Sequence, residues 1–163
     1  MLTRQLFFSF FAISLTFFFT STAFAETDVL LQTDIEGRNN LKRNRLIFTN
    51  TMSDGKTALL VLSCQVEDPA SFGVVLDFDS EKMRNTEGEE VLITIDGNPP
   101  FSQHLLRVQK YLTIAGNPAK KLVKQIFKGK NVSFQTEGIS DISFDFSNFS
   151  DHITQYTSLC KIP

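Results

Sequence analysis

Apolar residues recur at every second position in three separate stretches of this chain. Phe72, Val74, Leu76 and Phe78 alternate within Ser71-Phe72-Gly73-Val74-Val75-Leu76-Asp77-Phe78, and Ile142, Phe144 and Phe146 do so nearer the C-terminus. In Ala58-Leu59-Leu60-Val61-Leu62-Ser63-Cys64-Gln65-Val66 the even positions Ala58, Leu60, Leu62, Cys64 and Val66 form one side of a third stretch. A period of two sends successive side chains to opposite faces of a strand, so each stretch predicts a strand with one face turned to a core. The chain is therefore built mainly from β-structure.

Ahead of these strands, residues 1–25 carry the single charge Arg4, a Phe/Leu/Ile-rich run from Leu6 to Phe19 and the small-residue pattern Ala23-Phe24-Ala25. The run is about 14 residues, short of the roughly 20 that a spanning helix needs, so a cleavable signal peptide is expected rather than an anchor. Cleavage would leave residues 26–163, beginning at Glu26, as one secreted globular domain with no stable membrane anchor. Removing 25 of the 163 residues leaves 138, enough for a single sizeable core. Because Arg4 leaves with the leader, 15 basic residues then face 18 acidic ones. That slightly acidic balance offers no electrostatic case for nucleic acid, which calls for a basic face.

Cys64 and Cys160 are the only two cysteines. In an oxidising compartment, with no third thiol to compete, they are expected to form one disulfide. The alternative, a reactive or metal-bound pair, lacks the CxxC or Cys/His spacing it would need. Cys160 also falls on a helical repeat with Phe149, Ile153 and Tyr156, for which Ser150 or Asp151 is the expected cap.

Further strands are expected at Asp28–Thr33, Arg45–Thr49, Val91–Asp96 and Val132–Phe134, with 34–44 and 79–89 as loops. Residues 105–115 fit strand or helix, and Val108, Leu112 and Ile114 lean towards strand. The clearest helix runs from Asn117 to Gly129, with Asn117 as its cap, Pro118 in the first turn and Gly129 at its end. Ala119, Leu122, Val123, Ile126 and Phe127 make its apolar stripe; Lys120, Lys121, Lys124 and Lys128 line the other side. The expected fold is α+β, mainly β: an antiparallel β-sandwich-like sheet with two short helices and one disulfide.

The order of these segments resembles a family of small exported bacterial proteins that accompany type VI secretion systems, the TagO or VasI-like group. The resemblance rests on Leu59-Leu60-Val61-Leu62-Ser63-Cys64, on Ile93-Thr94-Ile95-Asp96-Gly97, on the amphipathic helix from Lys120 to Gly129, and on the strand, helix and final Cys from Ile142 to Cys160. It spans about residues 28 to 160 and implies an accessory or binding role, with no catalytic residues carried over.

Chemistry-bearing residues are sparse. His104, after Pro99-Pro100-Phe101, is expected in a loop with no recognisable partner, and His152, beside Ser150 and Asp151, is expected as a surface residue of a helix start rather than part of a triad. Asp77-Phe78-Asp79-Ser80-Glu81 has the alternating carboxylates of a calcium loop, but Lys82 and Gly88 stand where that loop needs Gly and an acid, so no metal is expected. No phosphate-cradling Gly-rich loop occurs, and no cofactor is expected. Asn131-Val132-Ser133 and Asn148-Phe149-Ser150 match a glycosylation sequon that matters only in a eukaryotic secretory pathway.

One charge cluster stands out: Lys120, Lys121, Lys124 and Lys128, extended by Lys130, form the candidate interaction face. A solvated outer face is the plain account; an anionic partner or a lipid headgroup surface is the sharper one. Lys42 and Arg43, between Arg38 and Arg45, would join it only if the fold brings them together. The expected function is that of a non-enzymatic secreted or periplasmic binding or accessory protein with a protein partner. The alternatives are an effector or inhibitor of a host-associated bacterium that engages a host protein, and, third, a hydrolase of unrecognised type.

Overall fold

The computed structural model of the chain describes residues 27–36, 41–52, 55–65, 68–78, 88–137 and 141–162. The leader lies outside the described residues. Among the described residues nine strands and two helices follow in the order β1 (Thr27–Glu36), β2 (Leu41–Thr51), β3 (Thr57–Gln65), β4 (Asp68–Asp77), β5 (Glu89–Ile95), β6 (Phe101–Val108), β7 (Tyr111–Ala115), α1 (Gly116–Ile126), β8 (Asn131–Gln135), β9 (Ile142–Asp145) and α2 (Ser150–Leu159).

The strands form one sheet in the order β1-β2-β3-β4-β7-β6-β5-β8-β9, every neighbouring pair antiparallel. Its two ends approach each other. Phe48 on β2 meets Phe146, just past β9, with ring centroids 4.4 Å apart, and the Asp145 amide donates to Thr27 Oγ1 at 3.2 Å. The sheet thus doubles over into an open, sandwich-like α+β fold of the expected class, with one core between its halves.

The even positions Leu46, Phe48, Leu60, Leu62, Cys64, Phe72, Val74 and Leu76 bury as the alternation predicts, against Val91, Ile93, Leu105, Phe134 and Phe144 from the other half. Helix α1 contributes Ala119, Leu122, Val123 and Ile126 to the same core, and Tyr156 of α2 reaches it edge-on to Phe127 at 6.1 Å. Burial pushes the Tyr156 phenol upward, so it stays neutral at any ordinary pH. Cys64 and Cys160 are bonded, with Cα atoms 5.8 Å apart, and this tie fastens the end of α2 to β3.

Four expectations are corrected. The loop from 34 to 44 shrinks to residues 37–40, because β1 continues to Glu36 and β2 starts at Leu41, in register Asp34↔Arg43, Ile35↔Lys42 and Glu36↔Leu41. Polar residues are tolerated there because they pair across the strands: Arg45 with Asp34, and Thr33 Oγ1 with Asn44 Oδ1 at 2.8 Å. The second predicted loop ends one residue earlier, since Glu89 opens β5; residues 79–87 lie outside the described residues.

Neither expected cap forms. Helix α1 is preceded by Ala115 in extended conformation and α2 by Phe149, neither with a side-chain cap bond, so Asn117, Ser150 and Asp151 sit inside the first turns. The helix α1 also ends at Ile126, three residues before Gly129. Gly129 is needed for a different reason than helix termination: a Cβ there would lie 2.2 Å from Ile95 Cγ2.

The Ile95 end of β5 carries a latch. Asp96 (φ 50°) and Gly97 (φ 71°) turn the chain, closed by the Asn98 amide donating to Ile95 O at 2.9 Å, and Asp96 Oδ1 accepts from the Lys130 and Asn131 amides at 2.8 Å each. The bonds from Asn131 and then Lys130 hold the Asp96 carboxyl below the usual carboxylate range. A lowered folded-state pKa means stabilisation that is present at neutral pH and lost as pH falls through the carboxylate range. Asp96→Ala is therefore expected to melt a few degrees below the parent at pH 7, with the gap narrowing as pH falls below the ordinary aspartate range and a remainder left by the positive φ that Ala tolerates poorly. Asp96→Asn keeps an acceptor oxygen and tolerates positive φ, so it should melt between the two.

Candidate functional site

The lysine face is built by helix α1. Its apolar side packs inward on β4 and β7, which leaves Lys121 and Lys128 exposed and Lys120 and Lys124 half-buried, with Lys130 exposed where the chain enters β8. Lys120 stands over the ring of the buried Phe72, Nζ 5.0 Å from the centroid, so its stem is held while its charge stays at the surface. Among the described residues none of the five forms an ion pair, and α1 has no acid in its first turn.

The energetics of that arrangement point away from helix stability. Lys120 with Lys124, and Lys121 with Lys124, are like charges four and three apart within α1, and such pairs cost a helix a few tenths of a kcal/mol each. Lys124 and Lys128 recover part of this at the negative end of the helix dipole, whereas Lys120 and Lys121 sit mid-helix and gain nothing from it. The second basic segment does not join them. Arg43 and Arg45 project from the opposite face of β2 to its buried even positions, and Arg45 is paired with Asp34; Lys42 is exposed at the start of β2, and Arg38 lies outside the described residues.

His104 is placed on strand β6, not in a loop, and it has a partner. In register with Glu90 on β5, it brings Nδ1 to 3.1 Å from Glu90 Oε1. The Ser102 hydroxyl donates to the same carboxylate and, as the largest influence, holds Glu90 below its ordinary value. His152 is exposed in the first turn of α2, with its ring edge-on to Phe149 at 6.4 Å. Asp77, the first carboxylate of the calcium-like stretch, is buried and tied to Lys110 at 2.9 Å, while Asp79, Ser80 and Glu81 lie outside the described residues. Among the described residues no three His, Cys, Asp or Glu side chains converge to hold a metal, and no helix is long and apolar enough to cross a membrane.

One polar group escapes sequence reasoning altogether. Arg107, on the inward face of β6, has a side chain only 4 % exposed, and its Nη2 pairs with Glu89, which also accepts the Thr136 hydroxyl at 3.0 Å. Arg107 Nε and Nη1 have no hydrogen-bond partner among the described residues. Burial draws the guanidinium below its ordinary pKa, although arginine keeps its charge. Comparison of the chain with protein-family models, with curated proteins and with solved structures finds no match.

Proposed function

We propose that this chain is a non-enzymatic binding or accessory protein of the periplasm or extracellular space, and that it offers the lysine face of α1 to an acidic protein partner. The observation that carries this is the run Lys120, Lys121, Lys124, Lys128 and Lys130, none of which forms an ion pair among the described residues, the Asp96 carboxylate acting on Lys130 alone. A helix that accepts repulsion along its own surface gains from it when an anionic surface arrives. Lysines act as mobile point charges rather than as bidentate forks, which suits a partner recognised by its field more than by one fixed group. The leader pattern and the Cys64–Cys160 disulfide favour an oxidising compartment outside the cytoplasm. The resemblance to proteins that accompany type VI secretion systems favours an accessory role.

Reversing charge at Lys121, Lys124 and Lys128 together tests this, since no reversed side chain is fully buried. Co-purification of an acidic partner with the exported protein should fall at least about tenfold on reversal, and equally when wild-type protein is washed at about 0.5 M salt, where charges are screened within a few ångströms. Circular dichroism of the variant should be unchanged. A partner retained equally by both proteins would overturn the assignment.

A further inference from the structure

The two edge strands of the sheet are finished in different ways. β9 is four residues long and its outer side is already met: Asn50 Nδ2 donates to Ser143 O, and the Asp145 amide donates to Thr27 Oγ1 at 3.2 Å. β1 is ten residues long and runs in unbroken register with β2 from Thr27↔Asn50 to Glu36↔Leu41. It contains no Pro, Lys or Arg and no bulge, the devices that keep an edge strand from pairing. Among the described residues no second strand, and no turn or loop amide, bonds to its backbone. Every second residue of such a strand aims its N–H and C=O away from the ladder, so β1 presents an unpaired row.

A row of backbone donors and acceptors is matched by another extended backbone. The side chains flanking the row say which kind. On the core side stand Val29, Leu31 and Ile35; Val29 and Leu31 are half-buried, Ile35 is 67 % exposed, and α2 packs against β1 and β2. On the outer side stand Asp28, Leu30, Gln32 and Asp34. Asp34 is tied to Arg45, whereas Asp28 is exposed and forms no ion pair among the described residues. The acids of β1 are Asp28, Asp34 and Glu36, with no basic residue between them. A second copy pairing along the same edge would crowd like charges there, and a segment carrying basic residues would relieve them.

We propose that the free edge of β1 is a strand-addition site for an extended peptide segment in which apolar and basic residues alternate. A period of two sets the apolar residues beside Val29, Leu31 and Ile35 and the basic ones on the side of Asp28. The lysine face of α1 repels such a segment, so the two surfaces are tested separately.

Fluorescence anisotropy of a labelled nonapeptide of alternating Val and Lys, titrated with the disulfide-bonded exported protein, is the test, with hydrogen exchange to place the probe. It should bind with a Kd below about 1 mM, and amides within residues 28–36 should gain protection while those of α1 do not. Of two probes N-methylated at alternate residues in opposite phase, the one that blocks the ladder should bind at least about tenfold more weakly. Ile35→Lys, which sets a charge on the apolar side at an exposed position, should weaken the parent probe by about as much, with circular dichroism and melting temperature unchanged. Asp28→Lys should weaken it about fivefold. A probe that does not bind, binding kept in full by both methylated probes or by either variant, or protection gained away from β1 overturns the proposal. So does a protein already dimeric in sedimentation equilibrium whose dimer Ile35→Lys breaks, because the occupant of the edge would then be a second copy.

Discussion

Without its disulfide, as Cys64→Ala/Cys160→Ala, the protein should lose about 4–5 kcal/mol of stability, the chain-entropy value for freeing a loop of about 100 residues in the unfolded state. The sequence separation of 96 makes the loop nearly the whole domain. For a domain of this size that is a fall of about 15 °C in melting temperature. The loss should be uneven. Helix α2 buries Tyr156 fully and Phe149 and Ile153 only in part, so much of what holds it on β1 and β2 is the covalent tie at its C-cap. Hydrogen exchange should show residues 150–159 losing protection first, with β3 and β4 the last to open. Urea unfolding of the reduced parent should coincide with that of the double alanine variant. Parent and variant with equal midpoints would mean that packing, not the bridge, holds α2 down.

What could be read in advance followed the range of the forces involved. The faces of β3, β4 and β9 were legible because Leu60, Leu62, Val74, Leu76, Ile142 and Phe144 declare a strand face within a few residues. Helix α1 and its lysines were legible for the same reason at a period of 3.6. The disulfide needed only a count of two.

Strand order was not legible. That β4 is followed in space by β7 is decided by pairing Val74 with Ile114 and Leu76 with Leu112, across some forty residues, and nothing local announces it. The Asp96 latch joins residues 34 and 35 apart for the same reason. The extent of β1 and β2 was missed because their polar ends, which read as loop, satisfy one another across the ladder.

The outward face of β3 and β4 did leave a trace. Leu59-Leu60-Val61-Leu62 and Val74-Val75-Leu76 are continuous apolar runs, and a strand with one buried face has no use for Leu59, Val61 or Val75. Assigning only the even positions to the core left those residues without a role. The candidate binding face could be named from sequence; that Arg43 and Arg45 point elsewhere could not, because it depends on which side of β2 the core takes.

The second large effect is expected at Glu89 and Arg107. Placing a guanidinium in a site where its side chain is 4 % exposed costs several kcal/mol, and here one carboxylate, itself 30 % exposed, offsets it. Glu89→Gln keeps the size and an acceptor oxygen but removes the compensating charge, so it should cost about 2–4 kcal/mol, read as a lowered urea midpoint at constant slope. Arg107→Met leaves Glu89 free to turn to water and removes Nε and Nη1, which already lack partners, so it should cost less than Glu89→Gln. Combining the two should recover most of the loss, giving a coupling energy of about 1–3 kcal/mol. If Glu89→Gln were as stable as the parent, the arginine charge would have to be met by solvent, and β6 would open to water where it now faces the core. If the double variant exceeded the parent, the pair would be a burden on the fold, held in place by something other than stability.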